Sequence, residues 1–249
     1  MGFVTSDLPD SLADQATQAW HSILDRADTQ QRTELEAIAA TAPITDQLAR
    51  VLACSPFIAE LGKRKPALLL EVLGGSFLQD THPESDFRAV LATILAQEGA
   101  EPGSALRCYR QRHMLRIVWR DFCRLADTQE TVRDTSLLAE ACIAEAVTHT
   151  QASLEQRFGV PIGKHSGDPQ QLIVLAMGKL GARELNVSSD IDLIFAFPEA
   201  GYTNSEKRPI SNEEFFVKVG QGVITALDQV TPEGFVFRVD MRLRPYGES

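Results

Sequence analysis

Residues 159 to 170, GVPIGKHSGDPQ, separate two hydrophobic rhythms. From residue 11 to about 158, apolar residues return every three or four positions, the spacing of a helix face, and Pro or Gly marks the breaks. Beyond the Gly- and Pro-rich stretch they come in short continuous or alternating runs, as in strands. A chain that changes period once predicts an α+β protein. The expected division is a helical domain over 1–160 and an α/β domain with a mixed sheet over 161–249.

In the first half, DSLADQATQAWHSILDRA offers Asp10 or Ser11 as N-cap and Leu12, Ala16, Ala19, Trp20, Ile23 and Leu24 as an apolar stripe. TDQLARVLACSPFIAELGKRKPALLLEVL reads as two short helices about Ser55-Pro56 and a third after Pro66. ESDFRAVLATILAQEG and the stretch from Gly103 to about Phe158 complete the helices. The last carries Arg107, Arg110, Arg112, Arg116, Arg120 and Arg124. Arg112, Arg116 and Arg120 share a stripe at four-residue spacing. That stripe is either a solvated face paired with acids such as Asp121 and Asp127, or a contact for phosphate or an acidic partner.

In the second half, QLIVLAM (171–177) has the continuous apolar character of a central buried strand. VSSDIDLIFAF (187–197) and FVFRVDMRLR (235–244) are two more strands, and SNEEFFVKVGQGVITALDQV is a helix with Ser211 and Glu214 as a capping box.

Strand parity puts Asp190 and Asp192 on one face, with Ile191 and Leu193 on the other. The same rule puts Arg238, Asp240, Arg242 and Arg244 together, opposite Val239, Met241 and Leu243. Three carboxylates brought close repel one another and resist ionisation unless a cation neutralises them. Oxygen-only ligation suits Mg²⁺ or Mn²⁺, which bridge to substrate phosphates and support in-line displacement at phosphorus. Asp190, Asp192 and Asp240 are the expected metal ligands, with a salt bridge from Asp240 to Arg238 or Arg242 as the structural alternative. Upstream, AMGKLGARELN places a Gly-rich turn, Gly178 to Gly181, where backbone amides can approach a nucleotide phosphate closely. Ser188 and Ser189 are either phosphate-contacting hydroxyls or turn formers. Arg183 and Glu184 read as a surface pair.

A formal net charge of −10 and a pI near 5.0 argue against a general nucleic-acid binder. The scattered cysteines, Cys54, Cys108, Cys123 and Cys142, suggest reduced packing thiols of a cytoplasmic protein. His21, His82, His113, His149 and His165 lack metal-ligand spacing. No signal sequence or membrane-length apolar run is seen. The strand and turn at the very end, RVDMRLRPYGES, suggest a fragment truncated at its C-terminus.

GKLGARELNVSSDIDLIF together with FRVDMRLRPYGES resembles the bifunctional glutamine synthetase adenylyltransferase/adenylyl-removing enzymes, members of the DNA polymerase β-like nucleotidyltransferase superfamily. LARVLACSPFIAELGKRKPALL and LRCYRQRHMLRIVWRD resemble the same family's N-terminal region, so the likeness covers essentially the whole chain. Lys179 departs from the superfamily pattern, which has Gly or Ser there, and the contact to the nucleotide phosphates is either altered or made by the lysine. Gly178, Lys179, Gly181, Ser188 and Ser189 are then the nucleotide-binding residues. Asp190, Asp192, Asp240, Arg242 and Arg244 are the catalytic ones. Arg242 and Arg244 hold the attacking phosphate or stabilise transition-state charge, unless Arg244, before Pro245, simply ends its strand. LNVSSDIDLIF, ISNEEFF and TPEGFVFRVDMRLRPYGES are closest to the adenylyl-removing copy of the tandem domains. The resemblance implies metal-dependent phosphorolysis of adenylyl-tyrosine on glutamine synthetase, releasing ADP, under control of the PII signal protein. Adenylyl transfer from ATP to a protein tyrosine, and a non-catalytic regulatory fragment that binds a signalling protein, are the alternatives.

Overall fold

The computed structural model describes residues 8–79, 86–97, 99 and 101–241. Among the described residues eight helices come first: α1 Asp10–Leu24, α2 Thr29–Ala39, α3 Ile44–Cys54, α4 Pro56–Arg64, α5 Pro66–Gly74, α6 Asp86–Leu95, α7 Pro102–Phe122 and α8 Thr128–Phe158. Strands β1 Pro161–Gly163, β2 Ile173–Met177, β3 Ile191–Ala196, β4 Gly201–Thr203 and β5 Val239–Asp240 follow, with the one-turn α9 Gly178–Gly181 and the long α10 Asn212–Asp228 among them. The α+β expectation holds. The change of rhythm falls at Gly159, where the backbone takes φ +82° directly after α8.

The chain forms two compact units. One is built from the described residues before 82 and from Gln111–Thr131, the other from those of 83–110 and from Val132 onward. In the first unit Pro56 and Pro66 open α4 and α5, where a missing N–H costs nothing, and the Ile58 amide donates to Ser55 Oγ at 3.3 Å. The predicted stripe of α1 buries Ala16, Trp20, Ile23 and Leu24 against α3 and α4. The cap does not follow the prediction: Pro9 occupies that position, with no side-chain hydrogen bond. The reciprocal capping box is on α2 instead, between Asp28 and Gln31.

The arginine stripe is not one solvated face: Arg116 is fully buried and Arg120 is 4% exposed, while the Arg112 side chain is 32% exposed. Arg116 Nε donates to the Phe77 carbonyl at 2.9 Å, and Arg120 Nη1 to that of Leu78 at 2.6 Å. Arg120 also pairs with Glu130 at 2.8 Å, while Arg112 pairs with Glu71 at 2.6 Å and lies 3.8 Å over the Phe77 ring. Guanidinium groups thus donate to the Phe77 and Leu78 carbonyls of the 3-10 turn Ser76–Leu78, which follows the end of α5.

The second unit contains two small sheets. β1 and β4 pair antiparallel, Pro161 opposite Thr203, and make a two-stranded sheet that the sequence rhythm did not predict. The other sheet has the order β2-β3-β5, with β2 antiparallel and β5 parallel to β3. The 171–177 run is therefore an edge strand, not a central one: Ile173, Leu175 and Met177 are 42%, 49% and 39% exposed. Of the 235–244 run, Val239–Asp240 pairs in the sheet and 242–244 lie outside the described residues. Phe195 faces α10, where a Cβ on Gly220 would stand 2.9 Å from its ring. Ser211 caps α10 through the Glu214 amide at 3.1 Å, but the Glu214 carboxylate turns to Lys218 at 3.4 Å, so only half of the predicted capping box forms.

Candidate functional site

β3 places Asp192 as strand parity requires, while Asp190 precedes the strand. Ile191 and Leu193 are at most 1% exposed on the α10 side, and Asp192 projects to the open face. Asp192 is opposite Met177 of β2 and in register with Asp240 of β5, so two carboxylates stand side by side on neighbouring parallel strands. Asp190, just before β3, turns to Arg238, whose Nε is 4.0 Å from its Oδ1. Both partners are more than half exposed, which makes this a weak pair in free-energy terms. Of the two arginines expected beside Asp240, Arg238 pairs with Asp190 and Arg242 lies outside the described residues; the Arg238 carbonyl accepts from the Ile191 amide at 2.9 Å.

Among the described residues no three His, Cys, Asp or Glu side chains are grouped to hold a metal ion. The Asp192–Asp240 pair is nonetheless the donor set that a hard divalent cation takes, since Mg²⁺ is commonly held by one or two carboxylates with substrate phosphates and water completing its shell. Arg242 and Arg244 lie outside the described residues.

The Gly-rich turn is pressed against Asp192. Gly178 opens α9 at φ +54°, and a Cβ there would stand 2.5 Å from Asp192 Oδ2. Gly181 closes the turn where a Cβ would meet the Ala176 carbonyl oxygen at 2.5 Å. Glycine at both positions lets the turn fold directly between the end of β2 and the carboxylate of β3. Lys179 Nζ donates to Ser189 Oγ at 3.2 Å, and that hydroxyl donates to Asn186 Oδ1. Lys179 and Ser189 therefore meet across the loop, as one exposed polar cluster, and Ser188 is exposed beside them.

Sequence reasoning missed the supports of this loop. Arg183 does not pair with Glu184; its Nε and Nη2 donate to the Glu140 carboxylate of α8 at 3.1 and 3.3 Å. The Leu185 amide donates to Ser136 Oγ, also on α8, at 3.1 Å. On the other side, Arg107 and Ser104 of α7 bind Glu233 at 3.1 Å each, and Arg110 stacks over Phe235 and Phe237, bracing the segment that leads into β5. Burial lowers the Arg110 guanidinium to about 10 and raises the neighbouring Cys142 thiol to about 12.

The sequence model of the glutamate-ammonia ligase adenylyltransferase family matches residues 45–249. A Pseudomonas aeruginosa protein named bifunctional glutamine synthetase adenylyltransferase/adenylyl-removing enzyme is 50% identical over 202 residues, 80% of this chain and 21% of that protein. Its Pseudomonas putida namesake is 46% identical over 247 residues, 98% of this chain and 25% of that one. A Hahella chejuensis protein of the same name is 49% identical over 218 residues, 86% and 22% respectively. The chain thus spans about a fifth to a quarter of the length of these relatives.

Proposed function

The chain belongs to the glutamate-ammonia ligase adenylyltransferase family, and on that premise we propose that it carries a nucleotidyl-transfer site that removes AMP from a tyrosine of glutamine synthetase. The observation that supports this most is the pairing of Asp192 and Asp240 on adjacent strands, with the Gly178–Gly181 turn folded against Asp192. Two carboxylates beside a glycine turn and an exposed lysine suit a phosphoryl group that needs its charge held on several sides.

In the proposed reaction an oxygen of inorganic phosphate attacks the phosphorus of adenylyl-tyrosine. The bond from phosphorus to the tyrosine oxygen breaks, ADP leaves, and the tyrosine oxygen regains a proton from water. Asp192 and Asp240 would hold Mg²⁺ or Mn²⁺, with Asp190 joining them when its contact to Arg238 is released. The bound ion supplies electrophilic stabilisation of the phosphate oxygens. Lys179 and Ser189 orient phosphate oxygens at the mouth of the turn, and Gly178 and Gly181 offer backbone amides there. Arg242 and Arg244, immediately after β5, are proposed to hold the attacking phosphate. Because phosphate is already a competent nucleophile at neutral pH, no side chain has to act as a general base.

On this reading the module works in the cytoplasm and answers to the PII signal protein. No helix among the described residues is long and apolar enough to cross a membrane. The test is incubation with adenylylated glutamine synthetase, Mg²⁺ and phosphate: ADP appears with the wild type and not with Asp192→Asn. Incorporation of AMP from ATP, with no ADP formed in the phosphate reaction, would assign the opposite direction.

A further inference from the structure

We propose that Arg183, Glu140 and Ser136 form a clamp by which α8 positions the phosphate-facing loop, residues 182–190, and so act as positioning residues for the reaction above, on whose reading this inference rests. Three observations converge. Arg183 is held at φ +56°, a left-handed backbone that a long side chain rarely adopts and that persists only when its surroundings enforce it. Its guanidinium reaches both oxygens of Glu140, the forked geometry in which a guanidinium fixes orientation as well as distance. Two residues on, the Leu185 amide is fastened to Ser136 Oγ, and both Leu185 and Ser136 are fully buried.

The loop they fix has little regular structure of its own. It folds back on α9 through the amides of Arg183 and Glu184, which donate to the Leu180 and Lys179 carbonyls at 2.9 and 2.7 Å. It ends in the Ser189 amide donating to the Asn186 carbonyl at 3.1 Å. Lys179, Ser189 and Asp190, the polar groups at its rim, inherit their positions from these anchors. Ser136 hydroxyl donates in turn to the Val132 carbonyl at 2.7 Å, so its lone pair is aimed at Leu185 by the helix itself. α8 is the longest helix, and a rigid element under a short loop is what a site needs when misplacement by about 1 Å costs roughly a hundredfold in rate.

Arg183→Gln, Glu140→Gln and the double variant separate this clamp from an incidental surface pair, and Arg183→Gly relieves the backbone conformation while removing the guanidinium. Two readouts are taken on the whole chain: amide hydrogen exchange at Leu185 and Ser189, and phosphorolysis of adenylylated glutamine synthetase. Exchange should quicken in every variant, and the KM for phosphate should rise about tenfold or more, with the KM for the protein substrate unchanged. The double variant should be no worse than either single one, because the two side chains act as one unit. Ser136→Ala should quicken exchange at Leu185 in the same way. Unchanged exchange overturns the clamp whatever the activity; so do quickened exchange with an unaltered phosphate KM, additive single effects, or an Arg183→Gly variant equal to the wild type. Quickened exchange in a chain whose wild type releases no ADP keeps the clamp and removes the phosphorolysis reading instead.

Discussion

Replacing Gly178 by alanine separates the stability of the site from its chemistry. Two penalties arise. The backbone at φ +54° costs an L side chain about 1–2 kcal/mol. The new Cβ would stand 2.5 Å from Asp192 Oδ2, where ordinary contact begins near 3.4 Å, so that oxygen must retreat by about 0.9 Å. The oxygen is the far end of a side chain with two soft torsions, so the retreat adds little to the folding cost. The expected loss of stability is therefore about 1–2 kcal/mol, and at about 2–4 °C per kcal/mol for a chain of this size the melting midpoint falls by roughly 2–8 °C. The displaced atom, however, belongs to the proposed metal ligand, and a shift of this size should lower turnover by about a hundredfold. Gly181→Ala is the contrast: its Cβ meets the Ala176 backbone carbonyl, which cannot turn aside, so stability falls by about 1–3 kcal/mol or more. Thermal melts and ADP release, measured on both variants at saturating Mg²⁺, decide the matter. A Gly178→Ala protein that melts lower but turns over like the wild type would refute the placing of Asp192 Oδ2 at the reacting centre.

Three further outcomes follow from the packing. Arg116→Ala should lower stability by roughly 3–5 kcal/mol in denaturant titration, since it leaves a cavity at a fully buried position and removes the hydrogen bond to the Phe77 carbonyl. In the native protein at pH 8, Cys54 and Cys108 should be alkylated quickly, and Cys142 and Cys123 slowly, because burial raises both of the latter to about 12 and leaves roughly one thiolate in ten thousand. Glu199 is held below its ordinary value of 4.5, first by the Ser166 hydroxyl and then by the His165 and Ser166 amides. A depressed carboxylate stabilises above its unfolded value and loses that contribution as pH falls through the folded one. Acid unfolding of Ser166→Ala followed by circular dichroism should therefore show a shallower limb below about pH 4.5 than the wild type.

The parts of the fold legible in the sequence are those that a single local rule determines. Pro56 and Pro66 reset the chain wherever they stand, so the α3, α4 and α5 boundaries could be read directly. Parity along a strand is equally local, and it sorted Asp192 from Ile191 and Leu193. β2 fails the same test because a run of apolar residues says that a strand is tolerant of burial on both faces, not that both faces are covered. Ile173, Leu175 and Met177 look onto the same side as Asp192, and their exposure of about two-fifths to one-half leaves an apolar shelf next to the carboxylates. β1 and β4, three residues each inside a Gly- and Pro-rich stretch, offer too short a run for any period to register.

Arginines at four-residue spacing share a helix face, but periodicity does not say what that face meets. Arg116 and Arg120 are buried where they donate to the Phe77 and Leu78 carbonyls of the turn at 76–78, a demand set some forty residues away. Arg183 is the same case on the functional side. Its sequence neighbour Glu184 offers an obvious partner, yet at φ +56° the side chain leaves the direction an ordinary turn would give it and reaches Glu140, forty-three residues upstream. The residues proposed to carry the chemistry, Asp192, Asp240, Gly178 and Lys179, lie in short motifs that can be recognised by their spacing alone. The residues that hold them are selected by whatever backbone group happens to pass nearby, so Ser136 and Glu140 carry no mark in the helical rhythm of α8. A substitution series confined to motif residues would therefore report on what the site binds and leave untested why its loop stays where binding needs it.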